Sequence, residues 1–137
     1  MENGMDGNYL EIAHTADLAL RVWATDYLHL LITAAQGMYA LMGVEIGEVC
    51  ESLNEITVAH GALESILVDF LNELLYQLEN GIVYKPVCGE LDENGLRMQV
   101  VGHEIGQISR QIKAATFHGL NLPTGAGSLQ VEIVFDV

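Results

Sequence analysis

Basic residues are scarce in this chain: five Lys and Arg stand against 19 Asp and Glu, for a formal net charge of -14 over 137 residues. Recognition of RNA or DNA through phosphate neutralisation rests on clustered Lys and Arg. The composition therefore argues against direct nucleic-acid binding and for a basic protein partner or bound cations. Arg97, Arg110 and Lys113 fall close together in sequence and leave room for one small positive patch. Cysteine is sparser still: Cys50 and Cys88 form no CxxC and no recurring Cys/His spacing. That excludes the familiar zinc frameworks and fits reduced thiols in a cytoplasmic protein. No GxSxG, HExxH or GxGxxG pattern occurs. Gly125-Ala126-Gly127-Ser128 precedes a strand-like segment and lacks the following Lys and helix of a phosphate loop, so it reads as a turn. The most apolar run, Tyr27 to Val44, is interrupted by His29, Thr33 and Gln36 and is short for a membrane span. Met1 to Gly7 shows no basic stretch leading into an apolar one, hence no secretory signal, and reads as a flexible tail ahead of one domain over residues 8–137.

Half of the residues are apolar and only 18% are charged, so the chain can build a core despite its charge. Leu18, Leu20 and Val22 alternate along a half-buried strand that Trp23 closes, after a shorter strand at Tyr9 to Ile12. Thr25 or Asp26 can cap a helix from about Tyr27 to Met42, with Leu31, Ala34, Ala35, Met38 and Met42 at helical spacing and Gly43 as its stop. That helix is apolar around much of its circumference and needs cover on more than one side. Gly47 to Ala59 begins polar and becomes strand-like only at Ile56-Thr57-Val58. The strongest helix runs from about Leu63 to Glu79, with Leu63, Ile66, Leu67, Phe70, Leu71, Leu74, Leu75 and Leu78 in one stripe. Glu64, Ser65, Asp69, Asn72, Glu73 and Gln77 lie opposite, and Asn80-Gly81 ends it.

Strands follow at Ile82 to Leu91, across the Asp92-Glu93-Asn94-Gly95 hairpin turn to Leu96 to Val101, then at Ile112 to His118 and Ser128 to Val137. In the last, Val131, Ile133, Phe135 and Val137 face one way, and Gln130, Glu132, Val134 and Asp136 the other. The order predicts an α+β fold, a single domain in which a mainly antiparallel β-sheet packs with two main helices.

Two places carry candidate chemistry. His14-Thr15-Ala16-Asp17 sets an imidazole, a hydroxyl and a carboxylate at a strand connection. A metal or anion site can use these groups, yet so can a plain turn, and the residues alone favour the turn. At the other end of the chain Asp136 stands beside Val137 and its main-chain carboxylate. Anions held together call for a cation or for solvent. With Asp17 alongside, three carboxylates would suit a hard cation; without it, a solvated terminus is the simpler reading. Lys113 and His118 add a base and an imidazole, but alternation along a regular strand puts them on opposite faces. A small metal-dependent phosphoester hydrolase using Asp17, Asp136 and His118 is the alternative reading, against which stands the lack of a nucleophile-base pair.

Four ordered stretches together resemble the archease family, the protein cofactors of RtcB-type RNA ligases. They are His14-Thr15-Ala16-Asp17, the helix core Val68 to Tyr76, Ile112 to His118, and Ile133 to Val137. The resemblance implies an archease-like fold and a non-enzymatic activator that promotes guanylylation of the ligase histidine and multiple turnover in tRNA splicing or RNA repair. It implies a metal site on Asp17, Asp136 and Val137 for a divalent cation, Ca²⁺ first, with Mg²⁺ or Mn²⁺ as alternatives. It also implies functional roles for Lys113, His14 and His118. An RtcB-type ligase is the partner it implies, with no nucleic acid bound directly and no membrane. The first helix, Tyr27-Leu28-His29-Leu30-Leu31-Ile32, carries less charge than the family pattern, which bears on how a partner docks.

Overall fold

Residues 7–12, 17–121 and 128–137 are described by a computed structural model, the side chains of 117–121 excepted; His14 and Thr15 lie outside the described residues, as does the turn expected at Pro123 to Gly127. In chain order the elements are β1 (Gly7–Ile12), β2 (Leu18–Ala24), α1 (Tyr27–Met42), β3 (Ile46–Ala59), α2 (Leu63–Glu79), β4 (Ile82–Asp92), β5 (Gly95–Ile105), β6 (Ala114–Asn121) and β7 (Leu129–Asp136). Every pairing is antiparallel. The α+β class stands, with a division that local patterns do not reveal: the strands form a four-stranded sheet, β1-β2-β7-β6, and a three-stranded sheet, β3-β5-β4. The first depends on β2 finding β7 more than a hundred residues away, and that long-range pairing leaves no local signature.

α1 is apolar around most of its girth because it touches both sheets. Leu30, Leu31, Ala34, Ala35 and Met38 are fully buried. Gly37 lets the helix settle onto the first sheet: a Cβ there would lie 2.6 Å from Leu20 Cδ2 and 2.9 Å from Tyr9 Cγ. Asp26 caps the N-terminus, its carboxylate accepting from the His29 N–H at 2.8 Å. Gly43 ends the helix in the left-handed region at φ 63°, with the N–H of Val44 returning to the Tyr39 carbonyl.

α2 buries its stripe from Ile66 to Leu78, with Leu63 half-exposed at the start. At 17 residues it spans roughly 25 Å. It ends at Asn80-Gly81, as the sequence predicts. Asn80 stays at φ -85°, and Gly81 alone takes a positive φ of 93°.

β3 is far longer than Ile56-Thr57-Val58. Its first ten residues are exposed, so no face is selected for apolar residues and the alternation that marks a strand is missing. β5 likewise continues to Ile105. β6 begins at Ala114, so Lys113 precedes the strand. Among the described residues no helix is long and apolar enough to cross a membrane.

Candidate functional site

β7 is flanked by β2 on one side and β6 on the other, and this arrangement brings distant residues together. Leu18 pairs with Phe135, Leu20 with Ile133 and Val22 with Val131. These alternate positions supply core residues: Leu20, Val22, Val131, Ile133 and Phe135 are buried at 1% exposure or less. Asp17 and Asp136 are the next residues along the chain beyond this last pair, Leu18 and Phe135, so both lie at this end of the sheet. Asp17 is half-buried at the bend leading into β2, and Asp136 is exposed at the last position of β7.

On its other flank Asp136 pairs with Ala114, and its carbonyl accepts from the Lys113 N–H at 2.8 Å. Val137, 45% exposed, follows directly. The sheet therefore gathers Asp17, Asp136, Val137 and the backbone of Lys113 at one end. The exposed Lys113 also lines a cleft of about 240 Å³ with Met42, Leu75, Leu78 and Ile112. His118 lies within β6. Phe117 is paired with Ile133, so the backbone of His118 is about four residues, or roughly 13 Å, along the sheet from Asp136. The strand does not bring it to the acidic end, and its side chain lies outside the described residues.

The side chain that ties this end to the helices is Asn72. Its Nδ2 donates to the Ala115 carbonyl at 3.2 Å and its Oδ1 accepts from the Ala115 N–H at 2.8 Å. β6 is an edge strand, so Asn72 serves there as a missing neighbouring strand would. On the helical wheel Asn72 sits among solvated residues; only the position of β6 gives it this task. Thr116 adds a further tie within the sheet, its Oγ1 donating to the Val134 carbonyl at 3.0 Å.

Nearby cations do not neutralise the acidic end. Arg21, opposite Glu132, contacts its carboxylate at 3.4 Å. Arg97 is taken up by Glu90 and Asp92, and Arg110 by Glu11 at 3.7 Å. Arg97, Arg110 and Lys113 therefore form no shared positive patch. Among the described residues, Lys85 and Lys113 are the bases without an ion pair.

A second polar cluster joins the strands of the smaller sheet. The Tyr84 hydroxyl donates to Glu51 Oε1 at 2.7 Å and accepts from Asn54 Nδ2 at 3.0 Å. Burial first, and its bond to Glu51 next, hold that hydroxyl above its ordinary pKa. Its single proton is thereby committed to Glu51, which suits a structural tie between β4 and β3.

Among the described residues no three His, Cys, Asp or Glu side chains gather into a metal cluster. The donors at the Asp17 end are two side-chain carboxylates and the main chain. Carboxylate and carbonyl oxygens are hard donors of the kind that Ca²⁺ and Mg²⁺ take. The exposed thiols, Cys50 and Cys88, sit on the other sheet.

A model of the Archease protein family matches residues 9–137. Protein archease of Methanosarcina acetivorans is 29% identical, the match covering 98% of this chain and 97% of that protein. Protein archease of Methanopyrus kandleri is also 29% identical, over 93% and 97%. Among solved structures, the crystal structure of an archease from Thermotoga maritima, described as a possible chaperone, superposes with a TM-score of 0.69 at 24% identity, covering 92% of this chain and 94% of that one. The solution structure of a protein from Methanobacterium thermoautotrophicum gives 0.67 at 20% identity, over 97% and 99%. These two share the fold.

Proposed function

The chain belongs to the archease family, and from that premise we propose that it is a non-enzymatic activator of an RtcB-type RNA ligase in the cytoplasm, promoting guanylylation of the ligase histidine and multiple turnover. The observation that supports this most is the pairing of Leu18 with Phe135, which leads the chain ahead of β2 toward the end of β7, where Asp136 and Val137 lie. Asp17, Asp136 and the main chain of Val137 would hold a divalent cation, Ca²⁺ by preference and Mg²⁺ or Mn²⁺ otherwise. Such a cation supplies positive charge that lets carboxylates share one place.

A ligase that handles RNA and GTP needs a basic cleft, and a chain of net charge -14 is drawn to such a cleft electrostatically. Asp136 and Val137 are exposed beyond the buried stretch of β7, so this end can enter a cleft that the broad sheet face cannot. Once there, Asp17 and Asp136 interact with the ligase conformation competent for guanylylation. Activation requires tighter binding to that conformation than to the others. Lys113, anchored through its backbone to Asp136, presents a cation beside the acidic end for a phosphate or carboxylate of the partner. His14 is assigned a supporting role in the same contact, and His118, farther along β6, a role away from the acidic end.

Calcium titration of the isotope-labelled chain tests the metal reading. The amide resonances of Asp17, Asp136 and Val137 shift together, and Asp17→Asn removes the shift at all three; resonances that do not move would remove the metal from the account. Retention of an RNA ligase by the immobilised chain tests the partner. Phosphoester turnover by the metal-loaded chain alone would favour a hydrolase instead.

A further inference from the structure

The first half of β3 uses its exposure in no way that the acidic end of β7 explains. It is an edge strand: β5 occupies one side, and among the described residues no strand pairs with the other. Residues 46–55 are all exposed. Ile46, Val49 and Leu53 are 40%, 57% and 63% exposed, three of the seven large apolar residues in that state among the described residues, so exposed apolar surface gathers here. Interleaved with them are Glu45, Glu48, Glu51 and Glu55, with no Lys or Arg between residues 45 and 55.

A long open edge bearing apolar side chains pairs with other chains unless something prevents it. Here the register with β5 shifts between Ile46 and Val49, Val49 and Glu51, and Glu51 and Asn54, and becomes regular only from Asn54 to Ala59. Irregularity of this kind blunts indiscriminate pairing along the first half and leaves a short regular edge from Asn54 onward.

We propose that this edge is a docking site for an extended segment of a partner protein in which basic and apolar residues alternate. The segment adds as a strand along Asn54–Ala59 and continues past Leu53 and Val49, which it covers, while its Lys or Arg side chains meet Glu48, Glu51 and Glu55. Charge selects this occupant over a second copy of the chain. Self-pairing would oppose these carboxylates with an equal number of their own kind, in a molecule already at -14. The site lies on the three-stranded sheet, whereas Asp17 and Asp136 lie on the other, so the inference does not depend on the metal reading or on the identity of the ligase.

The test uses the full isotope-labelled chain and an end-blocked decapeptide of alternating Lys and Val. At low salt the amide shifts fall on residues 46–59, and amide exchange there slows at least tenfold. Val49→Lys with Leu53→Lys weakens binding at least tenfold. Glu93→Lys, which makes the same change in net charge at the exposed β4–β5 turn, weakens it less than threefold. Both variants alter exposed residues, and an unchanged spectrum outside the site shows that each is folded. Shifts scattered over the acidic surface, equal losses in the two variants, or equal binding of an all-Lys decapeptide would reduce the effect to bulk charge and overturn the proposal. Absence of binding at millimolar peptide would overturn it as well. Slowed exchange at residues 46–59 without peptide, growing with protein concentration, would assign the edge to a second copy instead.

Discussion

Replacing Asn72 with Ala removes both hydrogen bonds that hold the backbone of Ala115 while leaving the α2 stripe intact. Each such bond contributes about 1 kcal/mol net. Ala115 is only 2% exposed, so water does not freely replace the lost partners and the cost sits at the upper end, about 2–3 kcal/mol for the pair. Ala offsets roughly 0.5 kcal/mol of this through its higher helix propensity. The expected net loss is about 2 kcal/mol, read as a lower urea midpoint at unchanged slope. For a chain of this size that corresponds to roughly 6–8 °C in Tm. Asn72→Asp keeps an acceptor for the Ala115 N–H but turns a carboxylate toward the Ala115 carbonyl, and it falls no less than Ala. Amide exchange at Ala115 accelerates in both variants. Because Ala115 pairs with Phe135, next to Asp136, the cation binding proposed for the acidic end should weaken with it. A loss below about 0.5 kcal/mol, with the Ala115 amide still protected, would refute the role assigned to Asn72.

Two further perturbations follow from the capping of α1. Gly43→Ala puts a Cβ at φ 63°, 2.7 Å from Ser109 Oγ, and costs about 1–2 kcal/mol from backbone strain alone; combining it with Ser109→Gly recovers the contact but not the strain, as chemical denaturation of the pair shows. Asp26→Ala removes the N-cap and costs about 1 kcal/mol near neutral pH. Burial, the largest single influence on the Asp26 carboxyl, raises its pKa, but hydrogen bonds from the His29 and Leu28 backbone and the His29 ring together bring it below the usual value. A depressed carboxylate pKa stabilises the fold above the unfolded value, near 4, and loses that contribution as pH falls through the folded value. The gap in stability between wild type and Asp26→Ala is therefore full at pH 6 and narrows below about pH 4. A gap of constant size across that range in urea titrations would contradict the assignment.

Much of the architecture is legible along the chain because α1 and α2 obey local rules. Asp26 and Gly43 bracket one helix, and a leucine-rich stripe bracketed by Leu63 and Glu79 marks the other, at the same residues in sequence and structure. β7 shows its core face through Val131, Ile133 and Phe135 for the same reason. What stays hidden has a physical cause in each instance. The exposed half of β3 has no buried face to impose alternation. The split into two sheets follows from β2 meeting β7. Asn72 looks like any polar residue on the outer face of a helix until β6 lies against it. At the candidate site, Asp17 and Asp136 stand 119 positions apart in sequence, and only the pairing of Leu18 with Phe135 brings their neighbourhoods to one end of the sheet.

The central claim is that the acidic end of β7 acts on an RNA ligase, and the initial rate of guanylylation of an RtcB-type ligase tests it most directly. Measured with GTP and a divalent cation, in the presence of the wild-type chain and of the folded variants Asp17→Asn and Asp136→Asn, the rate should rise with the wild type and lose at least tenfold of that stimulation with either variant. Equal stimulation by all three proteins, or none by the wild type, would contradict the account.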